Sequence, residues 1–422
     1  MPRGRPTIGR PTILIDLRVN AMAGAHGIAR SAMKLTAHLA HGDDLTVRVL
    51  VNTARPQIFP LSELPARADL VETDIGPGAV HRCLALDRLI RSTGAGAMYV
   101  PYPTFTPLMC PCPVVVTLHD CTIESDVRFA GSWHRQAELT LATRAAVRRA
   151  TAITAPSEAS LADIRQHYPS APNLTLVPNG VDMSQFTAVD LDSVATARKL
   201  YGLPDQFILA IGAHRPHKNH EVLVRALAWL PEHVSLVIVG YIDPSFHQPL
   251  PGLVAQLGLQ SRVLLVPDVA DPWLPAVYRA ASVFAFPSLA EGFGMPVLEA
   301  MASGVPVVAS DIPPIAEVTS SAAALVPPTN VPAWTSAIAA ILADPALARR
   351  RREAGRDMAR SISWERGAAA LGNVLSAVAT GQLTRSAPAP RCSASRRRLR
   401  RRQDPGLARP AIRPSASPRP RR

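Results

Sequence analysis

Residues 281–309 read as strand, loop, helix and strand, a unit that forces two parallel strands with a crossover helix between them. Ala281 to Phe286 is short, apolar and rich in strand formers, and Pro287-Ser288 ends it. The loop and helix follow as Glu291-Gly-Phe-Gly-Met-Pro-Val-Leu-Glu299. Pro296 suits a first helical turn, where its missing N–H has no partner to lose. Gly304 stops the helix after about Ser303, and Val305 to Ala309 is the next buried strand. Glu291 therefore falls in a strand-to-helix loop, with Glu299 about one turn into the helix. Gly292 and Gly294 let backbone amides approach a ligand, and the helix start favours an anion such as phosphate. The two carboxylates can accept hydrogen bonds from sugar hydroxyls, although two solvated surface glutamates would read the same way.

Strands and helices alternate on both sides of this unit. The first series holds strands at Thr12–Asp16, Leu45–Val51, Ala97–Val100, Val114–Leu118, Thr151–Ala155 and Leu174–Val177. Helices are expected at 28–41, 79–92, 133–150 and from Ser157, a natural N-cap, to about His167. Residues 184–205 are polar and irregular, as in a linker carrying a short helix. The second series opens with Phe207–Gly212 and continues through Val234–Gly240, Arg262–Val266 and the unit above. Helices at 331–343 and 346–360 close it, and one more runs from 364 to about 379. Such a chain is α/β, with two doubly wound Rossmann-like domains facing a cleft, spanning 1–183 and 206–363. The helix in 364–382 is expected to cross back to the first domain.

Open parallel sheets bind ligands at the C-terminal ends of their strands. His119-Asp120 ends the Val114 strand, so His119 is a candidate site residue, against the commoner reading of a structural histidine. Gly27 opens the first helix after the first strand, which fits a phosphate turn but by itself reads more readily as a tight connection. In Gly212-Ala-His-Arg215-Pro-His217-Lys218-Asn219, Arg215 and Lys218 can face one anion, or remain a solvated basic loop.

The stretch from Glu291 through Gly-Phe-Gly-Met-Pro to Glu299, with Gly-Val-Pro-Val-Val-Ala-Ser310 after it, resembles the donor-site signature of retaining GT-B glycosyltransferases of family 4. Pro216-His-Lys-Asn219, Asp16-Leu-Arg18 with Gly27-Ile-Ala-Arg30, and Pro178-Asn-Gly-Val-Asp182 are similar to further parts of that family. Ala29 stands where Gly is more usual, and His217 where other branches place an Arg. The resemblance covers about Thr12 to Ala379.

It implies transfer of a hexose from a nucleotide diphosphate sugar to an acceptor hydroxyl, on a glycan or lipid-linked acceptor, with a tilt toward mannose. No cofactor and no catalytic metal are implied. His119 and Glu291 would face the transferred sugar. Arg215, Lys218, Gly27 and the amides near Gly294 and Met295 would hold the donor diphosphate. Gly292, Phe293 and Glu299 would bind the sugar and nucleotide, with Glu299 taking the ribose hydroxyls. No carboxylate reads as a nucleophile, and a front-face displacement is the family's usual account. A sugar-nucleotide epimerase or hydrolase on the same scaffold and a non-catalytic nucleotide-binding protein are the competing classes.

The net charge of +13 is a property of one end. Residues 383–422 hold thirteen Arg and one Asp, leaving about +1 for the rest. This Pro- and Arg-rich tail is expected to be disordered. Its charge fits salt-sensitive attraction to anionic membrane or an extension without function equally, and it lacks the aromatics and folded motifs of specific nucleic-acid recognition. Five cysteines in no metal or CxxC spacing, an N-terminus that does not read as a secretory signal and no long apolar run point to a cytoplasmic protein, peripheral at the membrane at most.

Overall fold

The computed structural model describes residues 10–22, 25–76, 82–107 and 109–385. The expected 79–92 helix is therefore seen only from Cys83 to Ser92, and the expected tail lies outside the described residues from 386 onward.

Two parallel sheets organise the chain. The first has seven strands: β1 (Thr12–Asp16), β2 (Thr46–Asn52), β3 (Asp69–Thr73), β4 (Ala97–Val100), β5 (Val114–Thr117), β6 (Ala152–Ala155) and β7 (Leu174–Leu176), in the order β3-β2-β1-β4-β5-β6-β7. The second has six: β8 (Phe207–Ile211), β9 (Ser235–Val239), β10 (Val263–Val266), β11 (Val283–Phe286), β12 (Val307–Ser310) and β13 (Ala324–Val326), in the order β10-β9-β8-β11-β12-β13. Central strands such as β4, β5, β6, β11 and β12 are buried along their whole length, because helices cover both faces. That double burial is why these strands read as unbroken apolar runs rather than as alternating ones. The edge strand β3, Asp-Leu-Val-Glu-Thr, is largely exposed and carries no such run.

The last helix, Trp364–Ala379, belongs to the core of the first sheet, not the second. Trp364, Ala368, Leu371, Leu375 and Val378 pack among Ile13, Leu35 and Leu39. The segment 184–205, read as a linker, is instead part of the second domain. It forms the helices Met183–Thr187 and Leu191–Tyr201, and Phe186, Ala197 and Leu203 are buried in the second core. Its buried positions are too few and too widely spaced to register as a periodic face. No single helix among the described residues is long and apolar enough to cross a membrane.

Candidate functional site

Each sheet reverses its strand order once, between β1 and β4 in the first and between β8 and β11 in the second. At such a switch the two following loops diverge to opposite faces and leave a crevice. The motifs singled out in the sequence occupy those loops. Arg215 and Lys218 follow β8, Glu291 to Gly294 follow β11, Gly27 follows β1, and His119 follows β5 next to β4.

The two sets of loops touch. A Cβ on Gly292 would stand 2.1 Å from the His119 carbonyl oxygen, so only glycine allows this approach. The Gly292 carbonyl accepts hydrogen bonds from Ser157 Oγ at 2.7 Å and Ser160 Oγ at 2.9 Å, both at the start of the helix Glu158–His167. Glu317 of the second domain caps the same helix, its carboxylate accepting from the amides of Glu158 at 3.0 Å and Ala159 at 3.1 Å. A carboxylate against a helix N-terminus meets both its unpaired amides and its partial positive charge.

Beside this contact lies a cavity of about 180 Å³ whose lining includes Tyr102, His119, Asp120, Arg215, His217 and Glu291. Lys218 Nζ donates to Glu291 Oε1 at 2.5 Å, and the two side chains are only 17% and 13% exposed. The ammonium has three donors, so two remain for another anion. Arg215 is turned to Asp243, with Nε at 3.0 Å and Nη2 at 2.9 Å from Oδ2, which leaves Nη1 unengaged. His119 Nε2 faces the Pro101 carbonyl at 2.9 Å. A carbonyl only accepts, so the proton is on Nε2 and Nδ1 is left as an acceptor. Burial holds the His119 pKa below its ordinary value, with the Pro101 bond and Asp120 opposing it. His217 is pushed down to about 2 by burial, with Lys218 and Arg215 adding to it, and its buried Nδ1 has no hydrogen-bond partner. A larger cavity of about 440 Å³ lies on the other side of Arg215, lined among others by His214, Asn219, His220 and Gln248.

Glu299 sits one turn into the helix Met295–Ala302, as expected, but it is not free. Its Oε2 accepts from Tyr278 Oη at 2.8 Å, and Arg30 Nη1 stands 3.6 Å from Oε1. Burial and the carboxylate raise the Tyr278 hydroxyl well above its ordinary pKa. Burial works against the charge of Arg30, yet Glu299 and Asp271 outweigh it and raise its pKa. Gly294 caps this helix with φ +99°, a left-handed conformation that glycine adopts without strain. The starts of the helices His26–His41 and Met295–Ala302 approach each other, with Met295 Cε 3.4 Å from where a Gly27 Cβ would lie.

Some expectations change on this geometry. Phe293 does not line the cleft: its side chain is 7% exposed and belongs to the second core. The room that Gly292 leaves is filled by the His119 carbonyl rather than kept for a ligand. The Asp16–Arg18 pair is internal. Arg18 Nη2 lies 2.6 Å from Asp16 Oδ2 and also donates to the Phe105 carbonyl, with Nη1 donating to that of Ile75, which ties three loops together. Arg30, Asp271, Tyr278, Asp243 and the two serines were not singled out as site residues. Only Arg30 lies within a motif, Gly27-Ile-Ala-Arg30; the others act through contacts distant in sequence. Among the described residues no three His, Cys, Asp or Glu side chains gather as a metal site.

Two family profiles match in sequence order. Residues 25–185 match Glycosyltransferase Family 4, and residues 197–358 match Glycosyl transferases group 1. The chain is 36% identical over 218 residues to a D-inositol 3-phosphate glycosyltransferase of Xylanimonas cellulosilytica, covering 49% of this chain and 52% of that one. It is 36% identical over 135 residues to the O-antigen chain mannosyltransferase RfbU of Salmonella typhimurium, covering 32% of this chain and 38% of the relative. The match thus spans about half the length, or less, of these curated relatives. Among solved structures, a sucrose-phosphate synthase from Thermosynechococcus elongatus superposes with a TM-score of 0.71 at 23% identity, over 86% of this chain and 98% of that one. Anabaena Alr3699/HepE in complex with UDP and glucose superposes with a TM-score of 0.69 at 20% identity, over 87% and 100%. At these identities the superpositions speak for the fold.

Proposed function

The chain belongs to the family 4 glycosyltransferases of the GT-B fold, and from that premise we propose that it is a retaining hexosyltransferase. It moves a mannose- or glucose-like sugar from a nucleotide diphosphate sugar to a hydroxyl of a glycan or lipid-linked acceptor. The observation that carries this reading is the largely buried Lys218–Glu291 pair at the β8/β11 switch, whose Glu291 lines a cavity that also receives His119 from the other domain.

In this reading the leaving diphosphate lies against Lys218, Arg215 and the amides at Gly294 and Met295. The acceptor oxygen bonds to the anomeric carbon on the face from which the diphosphate departs. The bond from that carbon to the phosphate oxygen breaks, and the acceptor proton passes to the departing phosphate. Fixed cations and amides aimed at the developing charge supply the stabilisation, and no metal ion is part of the proposal. Glu291 and the free Nδ1 of His119 accept from hydroxyls of the transferred sugar. Glu299 accepts from the ribose. Contact between the domains keeps water from the donor.

The reading is supported by the names of the relatives, two of which are a mannosyltransferase and an inositol phosphate glycosyltransferase. Release of nucleoside diphosphate from UDP-glucose, GDP-mannose and related donors, with the product anomer read by NMR, tests it. Turnover of one donor with retained configuration, lowered about 100-fold or more in Lys218→Met, is expected. An inverted product, or release indifferent to Lys218, would refute it.

A further inference from the structure

Arg30 and Glu299 face each other without closing a hydrogen bond. Arg30 Nη1 is 3.6 Å from Glu299 Oε1, whereas Nη2 is held by Asp271 Oδ1 at 2.6 Å. The guanidinium also lies over the Phe59 ring, 5.2 Å from its centroid. Its position is therefore set from two sides by groups other than Glu299. On the carboxylate, Oε2 is taken by the Tyr278 hydroxyl, and Oε1 keeps its lone pairs. A group that satisfies both Nη1 and Oε1 must accept from the first and donate to the second. Phosphate, carbonyl and ammonium groups do only one of these, whereas a hydroxyl, on a ligand or of water, does both. An oxygen about 2.8 Å from each atom closes a triangle on the 3.6 Å edge with ordinary hydrogen-bond lengths.

We propose that Arg30 is a ribose-binding residue supplied across the cleft: one ribose hydroxyl of the donor accepts from Arg30 Nη1 and donates to Glu299 Oε1. This rests on Glu299 as the ribose acceptor in the function proposed above. Arg30 comes from the helix His26–His41 of the first domain, while Asp271, Tyr278 and Glu299 come from the second. The nucleoside site is therefore incomplete in the second domain alone, and donor binding favours the state in which the domains meet. Arg30 also makes the site selective, because a buried polar pair left without its hydroxyl rejects the analogue that lacks it.

The test is a ratio. Calorimetric affinities of the full chain are measured for UDP, GDP and ADP, and for the 2′-deoxy and 3′-deoxy forms of whichever binds. Wild type is expected to prefer the ribonucleotide by about tenfold or more over at least one deoxy form. Arg30→Met is expected to lose most of that preference at the same hydroxyl, and Arg30→Lys to keep part of it. Each preference is taken within one variant, so general loosening of the domains cancels. Should Arg30→Met not fold, Asp271→Asn, which releases the guanidinium from its anchor, is expected to lower the same ratio less steeply. An unchanged ratio in Arg30→Met with nucleotide binding intact, or no preference in wild type, would overturn the role of Arg30 and leave the nucleotide site standing. Absence of binding by all three diphosphates would overturn the nucleotide reading, and this inference with it.

Discussion

Lys218 and Glu291 neutralise each other at low exposure, so removing one leaves a poorly solvated charge and costs stability. Lys218→Met with Glu291→Gln is therefore expected to melt closer to wild type than either single variant while remaining inactive. Melting curves and donor turnover on the three proteins check this. The histidines of the β8 loop give a pH dependence. His217 is held at about 2 and His220 at about 3, burial being the main cause for both. In the unfolded chain they titrate near the ordinary value of about 6.5. Below that pH the unfolded state binds more protons than the folded one, so stability falls as pH drops from about 6.5 toward the folded values. Thermal midpoints at pH 7.5 and 5.5 should differ less in His220→Gln than in wild type. Charged motif residues were legible from sequence because their chemistry is local. Arg30 ends the Gly27-Ile-Ala-Arg30 motif, yet its partner Asp271 lies 241 positions away, a contact no spacing rule reaches.

At the level of elements, the two switch loops and the terminal helix decide the architecture. The strand and helix pattern was readable wherever double burial makes a strand wholly apolar, as in β5, β6 and β11. It failed at β3, an exposed edge strand, and at 184–205, where two short helices bury only a few residues each. Phe293 was misplaced for a related reason: sequence puts it in a ligand loop, but burial sends its ring into the second core. The helix Trp364–Ala379 contributes Leu371, fully buried in the first core. Leu371→Ala is expected to cost about 2–5 kcal/mol of stability, measured by urea unfolding, although the residue belongs by sequence to the end of the second series.

Across the whole molecule, the β8/β11 switch of the second sheet meets the loops that follow β5 and β6 of the first. Gly292 lies at that meeting. A Cβ there would reach the His119 carbonyl, a backbone atom that cannot step aside, and the Gly292 carbonyl is held by Ser157 and Ser160. Gly292→Ala is expected to weaken nucleotide binding and lower the melting temperature with every charged cleft residue intact. Titration of nucleotide into this variant, beside a melting curve, checks it. The proposed function places a nucleoside diphosphate against Lys218 in the cleft. Thermal stabilisation of the full chain by UDP, GDP and ADP, each with wild type and Lys218→Met, measures it. A ligand at one hundred times its dissociation constant adds about 2.7 kcal/mol. A clear rise in melting temperature with at least one diphosphate, abolished in Lys218→Met, is expected. No rise with any of them, or the same rise in both proteins, would contradict it.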